Sequence, residues 1–160
     1  VVMPQGVLFR GNEEGRIREK LVKSDLVEAI VTLGDKLFYG TGLSPCFMIL
    51  RRLKPATHSA RVLMIDGTKI LTTKRAQNTL SPEDVDRLYE LYCKYEDIED
   101  FSKVVTIDDI AAKGYDLSPN KYVNYHKEEI RPYAEVLAEF KAAYEEVLKR
   151  EAEFEKLINA

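Results

Sequence analysis

Three short apolar runs constrain the fold of this chain more than any other feature of its sequence. They read LVEAIVTL, SPCFMILRRL and RVLMIDGT, and they begin at residues 26, 44 and 61. Each run is rich in Val, Ile, Leu and Met and is followed within a few residues by glycine or by charged residues. Such runs are typical of buried β-strands. The sequence therefore predicts a sheet with three strands in this region.

The order of the predicted elements indicates the fold class. The opening VVMPQGVLF reads as another strand, and the GNEEGRIREKLVKSD after it places Ile17, Leu21 and Val22 on one face of a helix. Because a strand needs neighbours, a chain that opens inside one is expected to be a fragment or one half of a larger fold. The order strand, helix, strand, tight turn, strand predicts an α/β sheet with a parallel crossover followed by an antiparallel hairpin.

Helix signals dominate after residue 80. Ser81 precedes Pro82 and two acidic residues, which is an N-cap pattern, and the predicted helix runs to about Lys94. The acidic YEDIEDFSK that follows reads as a connection. Thr106 then caps a short predicted helix that ends at Gly114.

A last helix of about 28 residues is predicted from Pro132 onwards. Its apolar residues recur with a 4-3-4-3 spacing that only Glu151 interrupts, and such a seam requires a partner surface. The seam residues are Tyr133, Leu137, Phe140, Tyr144, Val147, Phe154 and Ile158. The seam fits either a long core-facing helix or contact with another chain, and its acidic surroundings and terminal position favour the second.

The distribution of charge and the cysteine content limit the possible partners and the cellular compartment. Residues 1–78 hold 13 Lys and Arg against 7 Asp and Glu, whereas residues 79–160 hold 11 against 20. A polyanion is therefore expected on the first half, unless the acidic half merely carries solvated helix faces. No apolar run approaches the ~20 residues of a membrane span. Cys46 and Cys93 have apolar neighbours and predict buried thiols in a reducing, cytoplasmic compartment.

Familiar catalytic and metal-binding motifs are absent from the sequence. There is no GxGxxG, GxxxxGKS/T, HExxH or GxSxG pattern. His58 and His126 are isolated and fit surface histidines, so no metal site is predicted. The pairs Asp108–Asp109 and Glu128–Glu129 fit solvated helix caps, because adjacent side chains on a helix point in different directions.

The segment between the first two apolar runs places two adjacent aromatics in a glycine-rich turn. In LGDKLFYGTGLSPCFMIL, residues 33–50, Phe38 and Tyr39 directly precede Gly40, with Gly42 close behind. Glycines allow a tight turn and leave a ring face open. We call residues 34–44 the aromatic turn. On its own residues it fits either a floor for a flat ligand or an ordinary hairpin.

The ordered series of blocks resembles the C-terminal half of N6-adenine DNA methyltransferases, and most closely the modification (methylase) subunit of type I restriction-modification systems. VVMPQGVLFRG, IREKL and VEAIVTLGDKLFYGTGLSPCFMILRR occur in that family's order, followed by RVLMIDGT, NTLSPEDVDRLYELY, SKVVTIDDIAAKGYDLSPNKYV and a closing helix. The resemblance covers nearly the whole chain. It implies an α/β fold: the C-terminal half of a Rossmann-like S-adenosylmethionine-dependent methyltransferase sheet, followed by C-terminal helices.

The resemblance implies a DNA-binding role for the aromatic turn. A DNA methyltransferase swings its target adenine out of the duplex, and the family stacks the extruded base on an aromatic ring in this loop. The match of LGDKLF to the family motif assigns that ring to Phe38, with Tyr39 as the alternative.

Four polar residues are candidates for contacts with the DNA backbone. Arg10, in the loop after the opening strand, and Lys36, two residues before Phe38, fit phosphate contacts, which fix register without reading sequence. Both also fit solvated surface charges. Thr41 and Ser44 fit contacts with sugar or phosphate, and they fit turn stabilisation equally well.

The resemblance also implies three parts with different roles. Residues 1–78 would be the C-terminal half of the catalytic domain, residues 79–131 a helical and loop extension, and residues 132–160 a helix that docks on the specificity subunit. Double-stranded DNA and, in the full complex, the restriction subunit are the other implied partners. The alternative interpretation is a non-catalytic helical protein-interaction module.

The residues that transfer the methyl group in this family have no match in the sequence. The family activates the adenine amine with an Asn-Pro-Pro-Phe-like loop, and here no asparagine is followed by proline. The glycine-containing loop that holds S-adenosylmethionine is absent too, and in the family both loops precede the block matched by VVMPQG. The resemblance therefore implies that this cofactor is bound mainly outside these 160 residues, which alone would be inactive.

Overall fold

A computed structural model describes residues 1–75, 77–126 and 133–158. These residues belong to two units, one spanning Val1–His126 and the other containing the C-terminal helix. The strands are β1 (Val2–Pro4), β2 (Val27–Leu33), β3 (Pro45–Leu50), β4 (Arg61–Gly67) and β5 (Ser102–Thr106). The α-helices are α1 (Asn12–Lys23), α2 (Pro82–Lys94), α3 (Ile107–Ala112) and α4 (Tyr133–Ile158). Short 3-10 helices cover Gln5–Leu8, Ala56–His58 and Pro119–Lys121.

The five strands form one mixed sheet in the order β1-β3-β2-β4-β5. β3 pairs antiparallel with both β1 and β2, so β1 and β2 point the same way, with β3 between them. β2 pairs parallel with β4, and β5 pairs antiparallel with β4. The predicted α/β fold, with its crossover through α1 and its antiparallel hairpin, is confirmed.

Side chains on both faces of the sheet are buried, which explains the continuous apolar character of β2. Ile30 and Met64 belong to a cluster that includes Val22 of α1 and Ile110 of α3. On the alternate positions of the strands, a second cluster packs against Leu91 of α2. Every residue of β2 is buried, as expected for a central strand covered on both sides.

Local sequence signals place two helix starts correctly. The hydroxyl of Ser81 accepts a hydrogen bond from the backbone N–H of Asp84, and the Asp84 carboxylate accepts one from the N–H of Ser81. The same reciprocal capping box links Thr106 and Asp109 at the start of α3. Gly114 follows α3 with a φ of +65°, a left-handed conformation that favours glycine. The predicted capping role of Asp109 is thus confirmed.

The structure corrects the predicted apolar face of α1. Ile17 is 56% exposed, whereas Arg18 beside it is buried. Arg18 donates hydrogen bonds from Nε to the carbonyl of Tyr115 and from Nη1 to the carbonyl of Val7, at 3.1 and 2.8 Å. These two carbonyls satisfy a buried guanidinium, so the face that turns inward is centred on Arg18 and Val22 rather than on Ile17.

Three further predictions need correction. The stretch predicted as a connection before α3 contains strand β5, which the sequence did not reveal because only five residues pair and acidic residues precede them. Cys46 is buried as predicted, but Cys93 is exposed, because it lies on the solvent side of α2. His58 is only partly exposed, since its ring stacks on Tyr95 with centroids 3.6 Å apart. His126 is exposed, as predicted.

α4 extends over 26 residues, close to the predicted length. Five of its predicted seam residues are exposed along the helix, and Leu137 is half-buried. Those five are Tyr133, Phe140, Tyr144, Val147 and Phe154. Pro132, the pair Glu128–Glu129 and the side chain of Ile158 lie outside the described part of the chain. Among the helices described, none is long and apolar enough to cross a membrane.

Candidate functional site

The aromatic turn lies at the edge of the sheet where the parallel strands end. β2 and β4 run in parallel register, with Leu33 opposite Gly67, so the loops that follow them leave the sheet side by side. We call this side, where β2 and β4 end, the carboxyl edge. In open α/β sheets, ligands bind outside the carboxyl ends of the strands. The fold therefore places the aromatic turn where a ligand is expected.

Both aromatic rings of the turn are accessible. The Phe38 side chain is 50% exposed and Tyr39 is 95% exposed. A cavity of about 330 Å³ is lined by Lys36, Phe38, Tyr39, Gly40, Thr41, Gly42 and Gln77. A smaller one of about 170 Å³ on the β1 side includes Phe38, Thr41 and Ser44 in its lining. Phe38 thus contributes to two cavities, and a ring with an accessible face can receive a planar ligand. The assignment of base stacking to Phe38 or Tyr39 stays a prediction.

The backbone of the turn depends on one of its two glycines. Gly40 has a φ of +75°, whereas Gly42 does not lie in the left-handed region. The Thr41 hydroxyl accepts a hydrogen bond from the N–H of Leu43 at 3.1 Å, which is the turn-stabilising role considered above. Ser44 is half-buried, and its carbonyl accepts a hydrogen bond from the N–H of Gln5 at 3.1 Å.

The two predicted phosphate contacts lie in different surroundings. Lys36 is exposed and lines the cavity beside Phe38. Arg10 is also exposed, but it follows the first 3-10 helix, and its guanidinium lies 3.9 Å from the carboxylate of Glu14. Among the described residues that line the two cavities of the turn, Arg10 is not included. The geometry brings Lys36, Thr41 and Phe38 together and leaves Arg10 apart.

The loop after β4, residues 68–80, is a neighbour that sequence reasoning missed. Its Asn78 side chain donates to the carbonyl and the carboxylate of Asp35, at 3.1 and 3.3 Å. Its Gln77 side chain donates to the carbonyl of Leu37 at 3.0 Å. The only sequence signal was the polar composition after Asp66–Gly67. It marked the end of a strand but did not show that the following loop lies beside the aromatic turn.

A second polar cavity, of about 400 Å³, lies near the ends of β2 and β4. Its lining combines Gln5, Leu8, Phe9, Thr32, Asp66, Thr68, Asp116, Ser118, Pro119, Asn120 and Lys121. Asp66 accepts hydrogen bonds from the hydroxyls of Thr68 and Tyr125, at 2.6 and 2.5 Å, and from the N–H of Thr68. Burial alone would raise the pKa of Asp66, but these hydrogen bonds outweigh it and lower the pKa below its ordinary value.

These polar groups are already used within the protein. Burial, followed by the hydrogen bond to Asp66, raises the pKa of Tyr125, so its hydroxyl stays protonated and donating. Asp116 pairs with Lys121 and accepts from the N–H of Ser118, which keeps its pKa low despite burial. Because the Asp66 and Asp116 carboxylates are engaged by protein donors, they do not fit the task of holding a cofactor. Within the described part of the chain, no cluster of three His, Cys, Asp or Glu residues is arranged to hold a metal ion.

Comparisons with known proteins agree with this fold. Residues 1–130 match the family model described as N-6 DNA Methylase. The chain is 37% identical, over 126 residues, to the type I restriction enzyme MjaVII methylase subunit of Methanocaldococcus jannaschii, covering 77% of this chain and 22% of that relative. It is 36% identical, over 167 residues, to the MjaIX methylase subunit of the same organism, covering 99% of this chain and 30% of the relative.

A solved structure gives the same result. The type I restriction-modification system methyltransferase subunit from Streptococcus thermophilus superposes with a TM-score of 0.71 at 28% identity, covering 77% of this chain and 26% of that one. The fold is therefore of the methyltransferase class. The chain belongs to the N-6 DNA methylase family. It spans less than a third of the length of these relatives.

Proposed function

We propose that this chain is the C-terminal portion of a type I methylase subunit, an enzyme that transfers a methyl group from S-adenosylmethionine to adenine N6 in double-stranded DNA. Its contribution is the wall of the pocket for the extruded adenine. The observation that carries the proposal is the accessible Phe38 ring beside a cavity at the carboxyl edge. Cofactor binding and methyl transfer belong to the part of the subunit that corresponds to the sequence upstream of VVMPQG.

Stacking explains why an exposed aromatic is useful at this position. An adenine that leaves the duplex loses its stacked neighbours, and an aromatic ring replaces them at roughly 1–3 kcal/mol per base. Phe38 offers a ring without a polar group, and Lys36 beside it offers a charge for the adjoining phosphate. Tyr39, which is almost fully exposed, is the alternative stacking partner.

The test is methyl transfer by a chimera in which this chain replaces the matching segment of the MjaIX methylase subunit of Methanocaldococcus jannaschii. The chimera, its specificity subunit and a DNA duplex are assayed with tritiated S-adenosylmethionine. Phe38→Ala is expected to lower kcat/KM roughly 10- to 100-fold, the equivalent of the stacking energy. Tyr89→Ala, which removes an exposed aromatic from α2, is the matched control and should leave kcat/KM unchanged.

Base extrusion is followed separately with 2-aminopurine at the target position, whose fluorescence rises when it leaves the stack. Phe38→Ala should weaken this signal. If Phe38→Ala leaves both methyl transfer and fluorescence unaltered while Tyr39→Ala reduces both, the stacking role belongs to Tyr39. If neither variant changes either readout, the pocket-wall assignment is wrong.

The exposed seam of α4 supports a second part of the proposal: a docking surface for the specificity subunit, which in turn brings in the restriction subunit. Phe140 and Tyr144, one turn apart, stack with centroids 6.3 Å apart and are both exposed. Aromatic side chains exposed in a row on one helix face are typical of interfaces.

A matched pair of charge insertions tests this surface. Phe140→Glu places a carboxylate on the seam, whereas Ala142→Glu places one on the opposite face of the same helix. In a pulldown with the specificity subunit, Phe140→Glu should abolish retention and Ala142→Glu should preserve it. The alternative function, an interaction module without enzymatic activity, predicts the same pulldown result but no effect of Phe38→Ala on the chimera's methyl transfer.

A further inference from the structure

The loop after β4 carries a group of exposed positive charges that the proposed function does not yet use. We call residues 68–75 and 77–80 the basic hairpin. Its sequence, TKILTTKRAQNTL, contains three cations and no acidic residue. Thr72 and Thr79 exchange two backbone hydrogen bonds, N–H to carbonyl, at 2.8 and 3.0 Å, which joins the two arms of the hairpin. The cations are Lys69, Lys74 and Arg75, and all three are exposed.

The basic hairpin is fixed to the aromatic turn at several points. The backbone N–H of Asn78 donates to the carbonyl of Lys36 at 3.0 Å, and the buried Asn78 side chain holds Asp35. Gln77 binds the carbonyl of Leu37 and lines the same cavity as Phe38. At the base of both loops, a Cβ added to Gly34 would lie 2.9 Å from the carbonyl oxygen of Thr68. The two loops therefore behave as one surface.

The cations of the hairpin differ from several others in the described structure, which pair with carboxylates. Lys54 pairs with Asp25 at 2.5 Å, and Arg51 pairs with buried Glu28 at 2.9 Å. Among the described residues, no carboxylate pairs with Lys69, Lys74 or Arg75. Cations that are exposed, close in sequence and not neutralised by neighbours create a local positive potential. They are available to an anionic ligand.

We propose that the basic hairpin binds the phosphate backbone of the DNA strand beside the extruded adenine, through Lys69, Lys74 and Arg75. The inference rests on the proposed function and extends it to a second loop. Asn78 is a positioning residue, since it holds the hairpin against the aromatic turn without carrying charge. Phosphate contacts on both sides of Phe38, from Lys36 and from the hairpin, fix the register of the strand whose base is extruded.

Salt dependence of DNA binding tests the inference with the 160-residue chain itself. Binding to a fluorescein-labelled 30-base-pair duplex is followed by fluorescence anisotropy between about 50 and 200 mM KCl. Each phosphate contact contributes about 0.9 to the slope of log K against log salt concentration. The triple variant Lys69→Gln, Lys74→Gln, Arg75→Gln is therefore expected to lower the slope by about 2 to 3, and to weaken binding at least about tenfold at 0.1 M salt.

A matched triple variant controls for net charge. Lys20→Gln, Arg52→Gln and Lys94→Gln remove the same three charges from exposed positions in α1, after β3 and in α2. This control should keep a slope within about 0.5 of the unsubstituted chain. Asn78→Ala, which keeps every charge but frees the hairpin, should weaken binding less than the hairpin triple and reduce the 2-aminopurine signal of the chimera. Circular dichroism confirms that each variant is folded.

Each result has one meaning. Equal slopes for the unsubstituted chain and the hairpin triple overturn the hairpin contact and leave the proposed function standing. Equal losses in both triples also overturn it, because only total charge then matters. If the unsubstituted chain shows no salt-dependent binding, the DNA-contact part of the proposed function and the hairpin contact fail together.

Discussion

The two edges of the central sheet differ in what they leave exposed. At the edge where β2 and β4 begin, polar side chains are buried and paired with one another. At the carboxyl edge, aromatic rings are exposed in the aromatic turn and three cations lie exposed in the basic hairpin. Both edges use buried polar groups for stability, at Glu28 and at Asp66 respectively, but only the carboxyl edge adds these exposed rings and cations. This contrast separates residues paired within the fold from exposed residues that we propose contact DNA.

Glu28 is the centre of the paired edge. Its side chain is 1% exposed and accepts hydrogen bonds from Arg51 Nε and from the Tyr92 hydroxyl, both at 2.9 Å. His58 Nδ1 lies 3.3 Å from its other oxygen. The Tyr95 hydroxyl donates to the Glu28 carbonyl, and burial, followed by the charges of Glu28 and Asp25, raises the pKa of Tyr95 to about 12. Three side chains, from α2 and the loop after β3, thus meet at the carboxylate of Glu28 in β2.

Glu28→Ala should have the largest effect on stability. Removing one partner of a buried ion pair costs about 3–5 kcal/mol, and the half-exposed Arg51 places the expected loss at the lower end, about 3 kcal/mol. Urea unfolding at pH 7, monitored by circular dichroism, gives the free energy of unfolding. The exposed pair Glu19–Lys23 supplies the control, since Glu19→Ala should cost less than about 0.5 kcal/mol.

Measuring the DNA affinity of Glu28→Ala also tests the contrast between the two edges. Under conditions where it remains folded, Glu28→Ala should bind duplex DNA as tightly as the unsubstituted chain. A loss of affinity in the folded variant would show that the two edges are not functionally separate.

Asp66→Asn should have the next largest effect, and one that depends on pH. Hydrogen bonds lower the pKa of Asp66 in the folded state, so its contribution is present above the unfolded pKa and is lost as the pH falls through the folded value. We expect Asp66→Asn to cost about 2 kcal/mol at pH 7, within the range for hydrogen bonds to a charged group. The difference should shrink as the pH falls from neutral into the acidic range below about 4. A difference that stays constant over this range would mean that the carboxylate charge contributes nothing.

The sequence predicted the sheet because its strands are buried on both faces and therefore read as continuous apolar runs. The starts of α2 and α3 were predictable for a local reason, since each capping box lies within four residues. β5 was not predictable, because its five residues are strand-forming only through their pairing with β4. The buried Arg18 was missed for a similar reason: its two carbonyl partners, in Val7 and Tyr115, lie far from it in sequence.

The site shows the same division between local and distant information. Glycines mark the turn that contains Phe38 and Tyr39, but their predicted stacking role came from the resemblance of LGDKLF to the family motif. Their proximity to Gln77 and Asn78 depends on the parallel pairing of β2 with β4, which brings together loops about forty residues apart. Arg10 was chosen from its place after a strand, but the 3-10 helix that follows β1 separates it from the cavities of the turn.

The two glycines of the aromatic turn provide a smaller and more local test. Gly40→Ala should cost about 1 kcal/mol, because its φ of +75° strains any residue with a Cβ. Gly42→Ala should cost less than about 0.5 kcal/mol, because its φ is ordinary and no atom lies within 4 Å of the added Cβ. Thermal unfolding of both variants measures the difference. Equal costs would show that the turn adopts another conformation.

Tyr39→Ala should have the smallest effect on stability, and it tests the alternative stacking assignment. Tyr39 is 95% exposed, so removing its ring loses almost no buried apolar surface. The free energy of unfolding should therefore change by less than about 0.5 kcal/mol. Glu28→Ala would destabilise the protein without altering DNA contact, whereas Tyr39→Ala should leave stability unaltered and weaken the 2-aminopurine signal only if Tyr39, rather than Phe38, stacks on the base. Leu53→Ala, at an exposed aliphatic residue after β3, should change neither quantity. If Tyr39→Ala instead destabilised the protein as much as Gly40→Ala, the ring would be packed in solution, and the carboxyl edge would be held together in the same way as the opposite edge.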